Sequence, residues 1–380
     1  MTRFDKIVVL DKILLTESHW QRLRGLAQEL IEFGGLSPDA ILEKLYDEME
    51  DEAKPMCWTQ LAVDKVSVDE LDERIHDADA LVTCWTAIPD ELLKRCPKLR
   101  YIGFWTNLVG HRVNVELARQ RGIHVTRIPD YGTNSVAELT FGGMLAVSRQ
   151  LLRAHRNTLR GEWPYELLKS GQFVPKVDDI PTTLLLGKTL GIVGMGRIGK
   201  RVAQIALAFG MKVQYYSKHR HIKQDELGAQ FVTLSELFAS SDIVSIHLSP
   251  YAPPRMINCD LLRSMKNGGM FINTSAGTLV DQEALFAELQ TGRIHAFLDV
   301  YEGLPQKKLL KSVSTLDNVF TYRSGWYTKE AITYKGDYLL NNIETFLSGD
   351  QHGAVWDEPE EEEDVTEVPC QKERKNACVI

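Results

Sequence analysis

Between Thr189 and Tyr322 the chain alternates short apolar runs rich in β-branched residues with longer stretches whose apolar positions recur at helical spacing. The first pattern suits strands buried on both faces and the second amphipathic helices, so the alternation predicts successive βα units in a parallel sheet. The predicted strands are Leu190–Val193, Lys212–Tyr216, Gln230–Thr233, Ile243–His247, Met270–Asn273, Ala296–Val300 and Val319–Tyr322. Helices are predicted over Arg197–Phe209, Leu234–Ala239 and Gln282–Gln290. A weaker alternation precedes them: strand Lys6–Leu10, helix Trp20–Phe33, strand Ala80–Thr83, helix Pro89–Lys94 and strand Leu99–Gly103. It predicts a separate α/β domain. Residues 36–66 are poorly patterned and read as an insertion, Ser135–Arg160 reads as a helix bridging the two halves, and Trp163–Thr183 as a loop broken at Pro181.

At 380 residues, 44% hydrophobic and 25% charged, the chain suits two globular domains and excludes a collagenous or disulfide-scaffold protein. Cys57, Cys84, Cys96, Cys259, Cys370 and Cys378 form no C-x-x-C pair; they read as reduced thiols of a cytoplasmic protein and imply no metal site. The N-terminus carries charges where a secretory leader needs an apolar core, and no apolar run approaches the roughly 20 residues of a membrane span. Neither export nor membrane insertion is expected. The ending Ala377-Cys-Val-Ile lacks the cysteine that prenylation requires at its first position. The net charge of −8 is concentrated in residues 357–367, which hold eight acids and no base, so the rest of the chain is neutral. A neutral body offers no broad basic surface to nucleic acid. The segment 357–380 is expected to be a disordered acidic tail, either solubilising or a docking segment for a protein partner.

The predicted strand Leu190–Val193 runs into Gly194-Met-Gly196-Arg-Ile-Gly199 and then into a predicted helix. A G-x-G-x-x-G in that setting is the dinucleotide-binding turn: the first glycine for the tight turn, the second for close approach of a pyrophosphate, the third for helix–strand packing. The loop residues Gly194, Gly196, Arg197, Ile198 and Gly199 are therefore candidate cofactor contacts. At the end of the next strand an NAD-selective site carries an acid for the ribose hydroxyls, but this chain reads Ser217, Lys218, His219, Arg220. A hydroxyl and three cationic side chains suit a 2′-phosphate, so NADP is favoured, with NAD the alternative.

Val136-Ala-Glu138-Leu, the glycine loop, His247-Leu-Ser-Pro, Met265-Lys-Asn-Gly-Gly-Met-Phe-Ile-Asn273-Thr-Ser, Leu279-Val-Asp-Gln-Glu-Ala-Leu285 and Leu298-Asp299-Val-Tyr-Glu302 together resemble the D-isomer-specific 2-hydroxyacid dehydrogenases over roughly residues 5–355. The resemblance implies a Rossmann doubly wound parallel sheet inserted into a smaller flavodoxin-like substrate domain. The expected division is 1–130 substrate domain, 131–325 dinucleotide domain with its bridging helix, and 326–356 returning to the substrate domain. It also implies a homodimer, a small-molecule substrate and hydride transfer in a cleft between the domains. Leu248, Ser249, Thr274, Ser275 and Ala276 join the cofactor-contacting set, with Asp299 as acceptor for the nicotinamide carboxamide.

The chain departs from that family at the residues that do the chemistry. Ala276 stands where the resemblance implies a carboxylate-binding Arg, Leu304 where it implies a Glu, and Arg323 where it implies the general acid/base His. The substrate loop is altered as well, reading Asn107-Leu-Val-Gly-His-Arg112. Candidates for replacement chemistry are Arg323 as an anion contact, Tyr327 or Tyr322 as a neutral proton donor, and His247 after a central strand. Core aromatics and a strand-end structural histidine account for the last three equally. The expectation is an NAD(P)-dependent oxidoreductase with an atypical active site and a non-standard carbonyl or hydroxy substrate; the alternative is a catalytically silent dinucleotide-binding scaffold or sensor.

Overall fold

A computed structural model describes residues 3–33, 68–107, 109–110, 112–162, 165–167, 169–175, 182–250, 252–300, 316–322, 325–350, 352–356 and 365–367. The chain divides into two compact units, Met1–Tyr131 with Tyr327–Glu361, and Gly132–Trp326 with Glu362–Ile380. The predicted insertion at 36–66 lies outside the described residues.

The first unit runs β1 (Phe4–Val9), α1 (Glu17–Arg24), β2 (Ala27–Glu32), α2 (Val68–Ile75), β3 (Ala80–Thr83), α3 (Asp90–Arg95), β4 (Tyr101–Phe104), α4 (Val115–Gln120) and β5 (His124–Thr126). Its parallel sheet has the order β2-β1-β3-β4-β5, that of flavodoxin-like domains. Val8, Leu81, Ile102 and Val125 on neighbouring strands build the core with Leu71, Ile75, Leu92 and Leu93 from the helices. The predicted helix Trp20–Phe33 is corrected. A capping box between Thr16 and His19 starts the helix early, Gly25 closes it, and Ala27–Glu32 becomes an edge strand in register with β1. The local periodicity is helical, but the free edge of β1 takes up the backbone hydrogen bonds of this segment and tertiary pairing wins.

The second unit opens with α5 (Thr133–Ser148) and α6 (Leu151–Leu159). The single predicted helix Ser135–Arg160 is thus broken: Gln150 adopts φ 50°, a left-handed conformation that ends the hydrogen-bond ladder. The predicted loop after Trp163 contains a short hairpin, β6 (Tyr165–Leu167) against β7 (Phe173–Pro175). Then follow β8 (Thr189–Val193), α7 (Arg197–Ala208), β9 (Lys212–Tyr216), β10 (His219–His221), α8 (Ile222–Glu226), β11 (Ala229–Phe231), α9 (Leu234–Ser240), β12 (Ile243–Ile246), α10 (Cys259–Ser264), β13 (Met270–Asn273), α11 (Gln282–Gln290), β14 (His295–Leu298) and β15 (Val319–Thr321). Seven strands pair in parallel in the order β11-β9-β8-β12-β13-β14-β15, a doubly wound Rossmann-like sheet whose strand order reverses between β8 and β12. That reversal opens the crevice where such folds bind ligands.

Helix α12 (Lys329–Leu347) returns the chain to the first unit, where Gly103 lies so close to Leu339 that a Cβ would stand 3.0 Å from Cδ1. Two further expectations are corrected. Residues Val365–Glu367 of the acidic tail are not disordered but form β16, antiparallel to His219–His221. The backbone of that basic segment had no other strand to pair with, and the tail satisfies it. Cys259 is disulfide-bonded, its partner lying outside the described residues, whereas Cys84 and Cys96 are free and buried. No described helix is long and apolar enough to cross a membrane.

Helix α5 crosses β14 at Gly143, where an added Cβ would lie 2.3 Å from the Phe297 ring, while at neighbouring Gly142 it would meet nothing within 4 Å. Gly143→Ala should therefore destabilise the protein by about 1–3 kcal/mol through overpacking, and Gly142→Ala should leave it unchanged or stabilise it by up to ~1 kcal/mol. Thermal unfolding of the two variants measures the difference.

Candidate functional site

The glycine turn between β8 and α7 is built by three close approaches. Gly194 has φ 100°, and a Cβ there would stand 2.6 Å from the His247 carbonyl oxygen and 3.0 Å from the Leu248 nitrogen. At Gly199 a Cβ would lie 2.1 Å from the Gly194 oxygen. Gly196 differs: it caps α7 with no side-chain hydrogen bond, and a Cβ there would meet nothing within 4 Å. The turn is thus sealed on the protein side at Gly194 and Gly199 and open at Gly196. The unsatisfied N–H groups opening a 12-residue helix suit an anion there. Arg197 is exposed beside the opening, whereas Ile198 packs against the core under it.

At the end of β9, the Ser217 hydroxyl sits 3.3 Å from Nε2 of His221. Lys218 is exposed, His219 half-buried, and Arg220 is held by Asp225, Nε to Oδ2 2.6 Å. Asp225 also accepts from the Tyr215 hydroxyl at 2.8 Å. Sequence reading took this segment for a basic turn. The structure turns it into a strand and brings an acid eight residues beyond Ser217 against its arginine, so Lys218 alone of the three cations is both exposed and without an ion pair among those described.

The loops after β12 and β13 are stitched together. The Ser275 hydroxyl donates to the Leu248 carbonyl, the Ser275 N–H donates to Asn273 Oδ1 at 3.0 Å, and the Asn273 amide donates to the Ala276 carbonyl at 3.0 Å. Thr274 and Ser249 flank these contacts, and Ala276 packs against the apolar cluster that includes Leu279 and Val280. His247 is half-buried as a residue, with Nε2 2.8 Å from the Ser245 hydroxyl and Nδ1 3.5 Å from that of Thr274. Desolvation pushes its imidazole down to about 3, so it is neutral across the physiological range and is no acid there.

Asp299 is 4% exposed, and both of its oxygens accept from the Gly325 N–H, at 3.1 and 3.0 Å. A Cβ at Gly325 would lie 2.8 Å from Oδ2, so this residue must be glycine for the carboxylate to be reached. The acid thereby anchors the chain beside position 323. Arg323 and Leu304 lie outside the described residues. Tyr322 and Tyr327 are about half-exposed, at 47% and 52%, so neither is a core aromatic.

In the first unit the structure reveals two groups that sequence reasoning missed. Asp11, just past β1, accepts from the Thr83 hydroxyl (2.6 Å), from the N–H groups of Cys84, Trp85 and Thr86 (2.6, 2.9 and 3.1 Å) and from the Thr86 hydroxyl (2.6 Å). Its carboxylate fixes the turn after β3. An acid directly after an apolar strand is the signal that could have marked it. The other is Lys335 on α12, a buried lysine whose ammonium faces the rings of Trp105 and Tyr131. Among the described residues no cluster of His, Cys, Asp and Glu could hold a metal ion.

Residues 141–322 match the family model described as D-isomer specific 2-hydroxyacid dehydrogenase, NAD binding domain. A hydroxypyruvate reductase of Blautia hydrogenotrophica is 31% identical over 301 residues, covering 78% of this chain and 91% of the relative. A glyoxylate reductase of Thermococcus litoralis is 36% identical over 293 residues, covering 73% and 83%. Among solved structures, an acyclic imino acid reductase in complex with NADPH and D-Arg is similar at a TM-score of 0.68, with 26% identity over 92% of this chain and 99% of that one.

The opening at Gly196 yields a direct test. Gly196→Ala should leave the melting temperature unchanged, since the methyl group meets nothing, yet weaken dinucleotide binding at least about tenfold if a pyrophosphate approaches there. Gly194→Ala should instead lower the melting temperature markedly, through its φ and its contact with His247. Calorimetric titration and thermal unfolding separate the two effects.

Proposed function

The chain belongs to the D-isomer-specific 2-hydroxyacid dehydrogenase family, and from that premise we propose that it is an NADP-preferring reductase of a small substrate other than an ordinary 2-oxoacid. One pairing of features carries the reading: the dinucleotide turn keeps its close approaches at Gly194 and Gly199 and its opening at Gly196, while Ala276 places a methyl group among apolar residues where a carboxylate would need a guanidinium. Gly196 and the N-terminus of α7 would hold the pyrophosphate, Ser217 and Lys218 the 2′-phosphate, and Asp299 the carboxamide. The bound dinucleotide supplies hydride.

The proton is the harder problem. A carbonyl substrate needs one delivered to its oxygen, and His247 is neutral and already hydrogen-bonded. Arg323 stays charged at all working pH values and serves as an anion contact rather than a donor of protons. Tyr327 and Tyr322, both exposed and phenolic, are the remaining candidate donors from this chain. An iminium carries its proton already, so its reduction asks for no acid from the protein. The similarity to a reductase holding NADPH supports NADP. The replacement of three charged or titrating residues, at Ala276, Leu304 and Arg323, also favours a second reading, a silent dinucleotide-binding scaffold whose acidic tail docks a protein partner. Both readings take the working form to be a cytoplasmic homodimer.

Fluorescence titration should give tighter binding of NADPH than of NADH, and Ser217→Asp should reverse the order by repelling the 2′-phosphate while accepting from ribose hydroxyls. Equal or tighter binding of NADH by the unmodified protein would remove the NADP assignment.

Turnover on glyoxylate, pyruvate and hydroxypyruvate should be poor, and a panel of imines and ketones without a 2-carboxylate should include a better substrate. The triple variant Ala276→Arg, Leu304→Glu, Arg323→His should gain 2-oxoacid reduction if the remaining cleft is that of a dehydrogenase, since a positioned acid contributes about 10²–10⁴-fold. Rapid glyoxylate turnover by the unmodified protein would refute the proposal, and a dinucleotide-saturated protein inert to the whole panel would select the scaffold.

A further inference from the structure

Helix α12 buries a stripe formed by Ala331, Leu339, Leu340, Ile343 and Leu347, and Lys335 lies on that stripe with 2% of its surface exposed. Its Nζ stands 3.2 Å from the centroid of the Trp105 ring and 3.9 Å from that of Tyr131. Trp105 directly follows β4 and donates its N–H to the Thr83 carbonyl at 2.7 Å, and Cys84 Sγ lies 3.7 Å from the Trp105 carbonyl. Behind the lysine, Gly336 admits the His19 ring of α1, for a Cβ there would lie 2.4 Å from it. The ammonium is therefore pinned from both sides by well-packed elements of one unit.

A buried ammonium is costly, and the two aromatic faces offset part of that cost only while the charge is present. We propose that Lys335 is a titratable positioning residue of the first unit: its ammonium clamps Trp105 to Tyr131, and loss of its proton releases that clamp. The clamp itself stands on contacts within the unit; its bearing on the substrate rests on the functional reading above and on the substrate loop that the family resemblance assigns to the sequence just after Trp105.

Other titratable and charged groups pack around it. Burial pushes the Cys84 thiol and the Tyr131 phenol each up to about 12, so both remain neutral. Asp11 has its carboxylate committed to the turn after β3, Arg112 stacks on Trp85 at 5.1 Å, and His19 lies beyond Gly336, bonded to Asp337. Desolvation meanwhile brings Lys335 down to about 7, against a weaker opposing pull from Cys84. The sign follows: the clamp is closed below neutral pH and opens as pH rises, whereas exposed lysines keep their protons to about 10.4.

The test uses the full chain with ¹⁵N-labelled lysine. One Nζ resonance, absent from Lys335→Met, should titrate near neutrality while the others titrate near pH 10, and tryptophan fluorescence should change over the same interval. That fluorescence change should vanish in Lys335→Arg, which keeps its charge, and in Trp105→Phe. A Lys335 resonance titrating with the bulk lysines, or fluorescence unchanged through its titration, would overturn the clamp. If the Lys335 variants fail to fold, the unmodified chain and Trp105→Phe still decide it, since loss of the indole face should move the lowest Nζ midpoint further down. For whichever substrate is reduced, the alkaline fall in kcat/KM should reside in KM and disappear in Lys335→Arg. A fall residing in kcat would overturn the positioning role, and a protein that reduces nothing would defeat the functional reading while leaving the Nζ titration to decide the clamp.

Discussion

The His247 carbonyl comes so near the start of α7 that a single methyl group on Gly194 would stand 2.6 Å from it. That approach ties the end of β8 to the end of β12 at the point where the strand order reverses, and it forces the turn to bulge outward at Gly196. The opening there, the exposed N–H groups of α7 and the crossover loops pinned by Ser275 and Asn273 all follow from it. A dinucleotide site on this fold is a consequence of backbone packing more than of any reactive side chain.

Phosphate recognition on such a turn asks for backbone N–H groups and glycines rather than for reactive side chains. Asp299 carries a structural duty, receiving the Gly325 N–H on both oxygens, in addition to the role the family resemblance implies, whereas Ala276 packs against an apolar cluster.

Charge is handled differently at different depths. The second unit neutralises its acid at Asp225 with Arg220 and Tyr215 near the surface, where ion pairs contribute little. Deeper in the protein charge is buried outright: Asp11 and Asp299 accept hydrogen bonds, and the Lys335 ammonium stands against two aromatic faces.

The sequence by itself determined the parallel βα architecture, because short β-branched runs alternating with helically spaced apolar positions are local patterns; Lys212–Tyr216, Met270–Asn273 and Gln282–Gln290 appear with the bounds their patterns predict. It also determined the glycine turn, since a glycine pattern between a strand and a helix is a local fact of residue type. Only the tertiary structure decided that Ala27–Glu32 is a strand, that Gln150 breaks a helix and that part of the acidic tail pairs with His219–His221. It alone brought Asp11 to Thr83, 72 residues away, and Lys335 to Trp105 and Tyr131. Those outcomes depend on which distant groups compete for a backbone edge or a buried charge, and spacing along the chain carries no record of that competition.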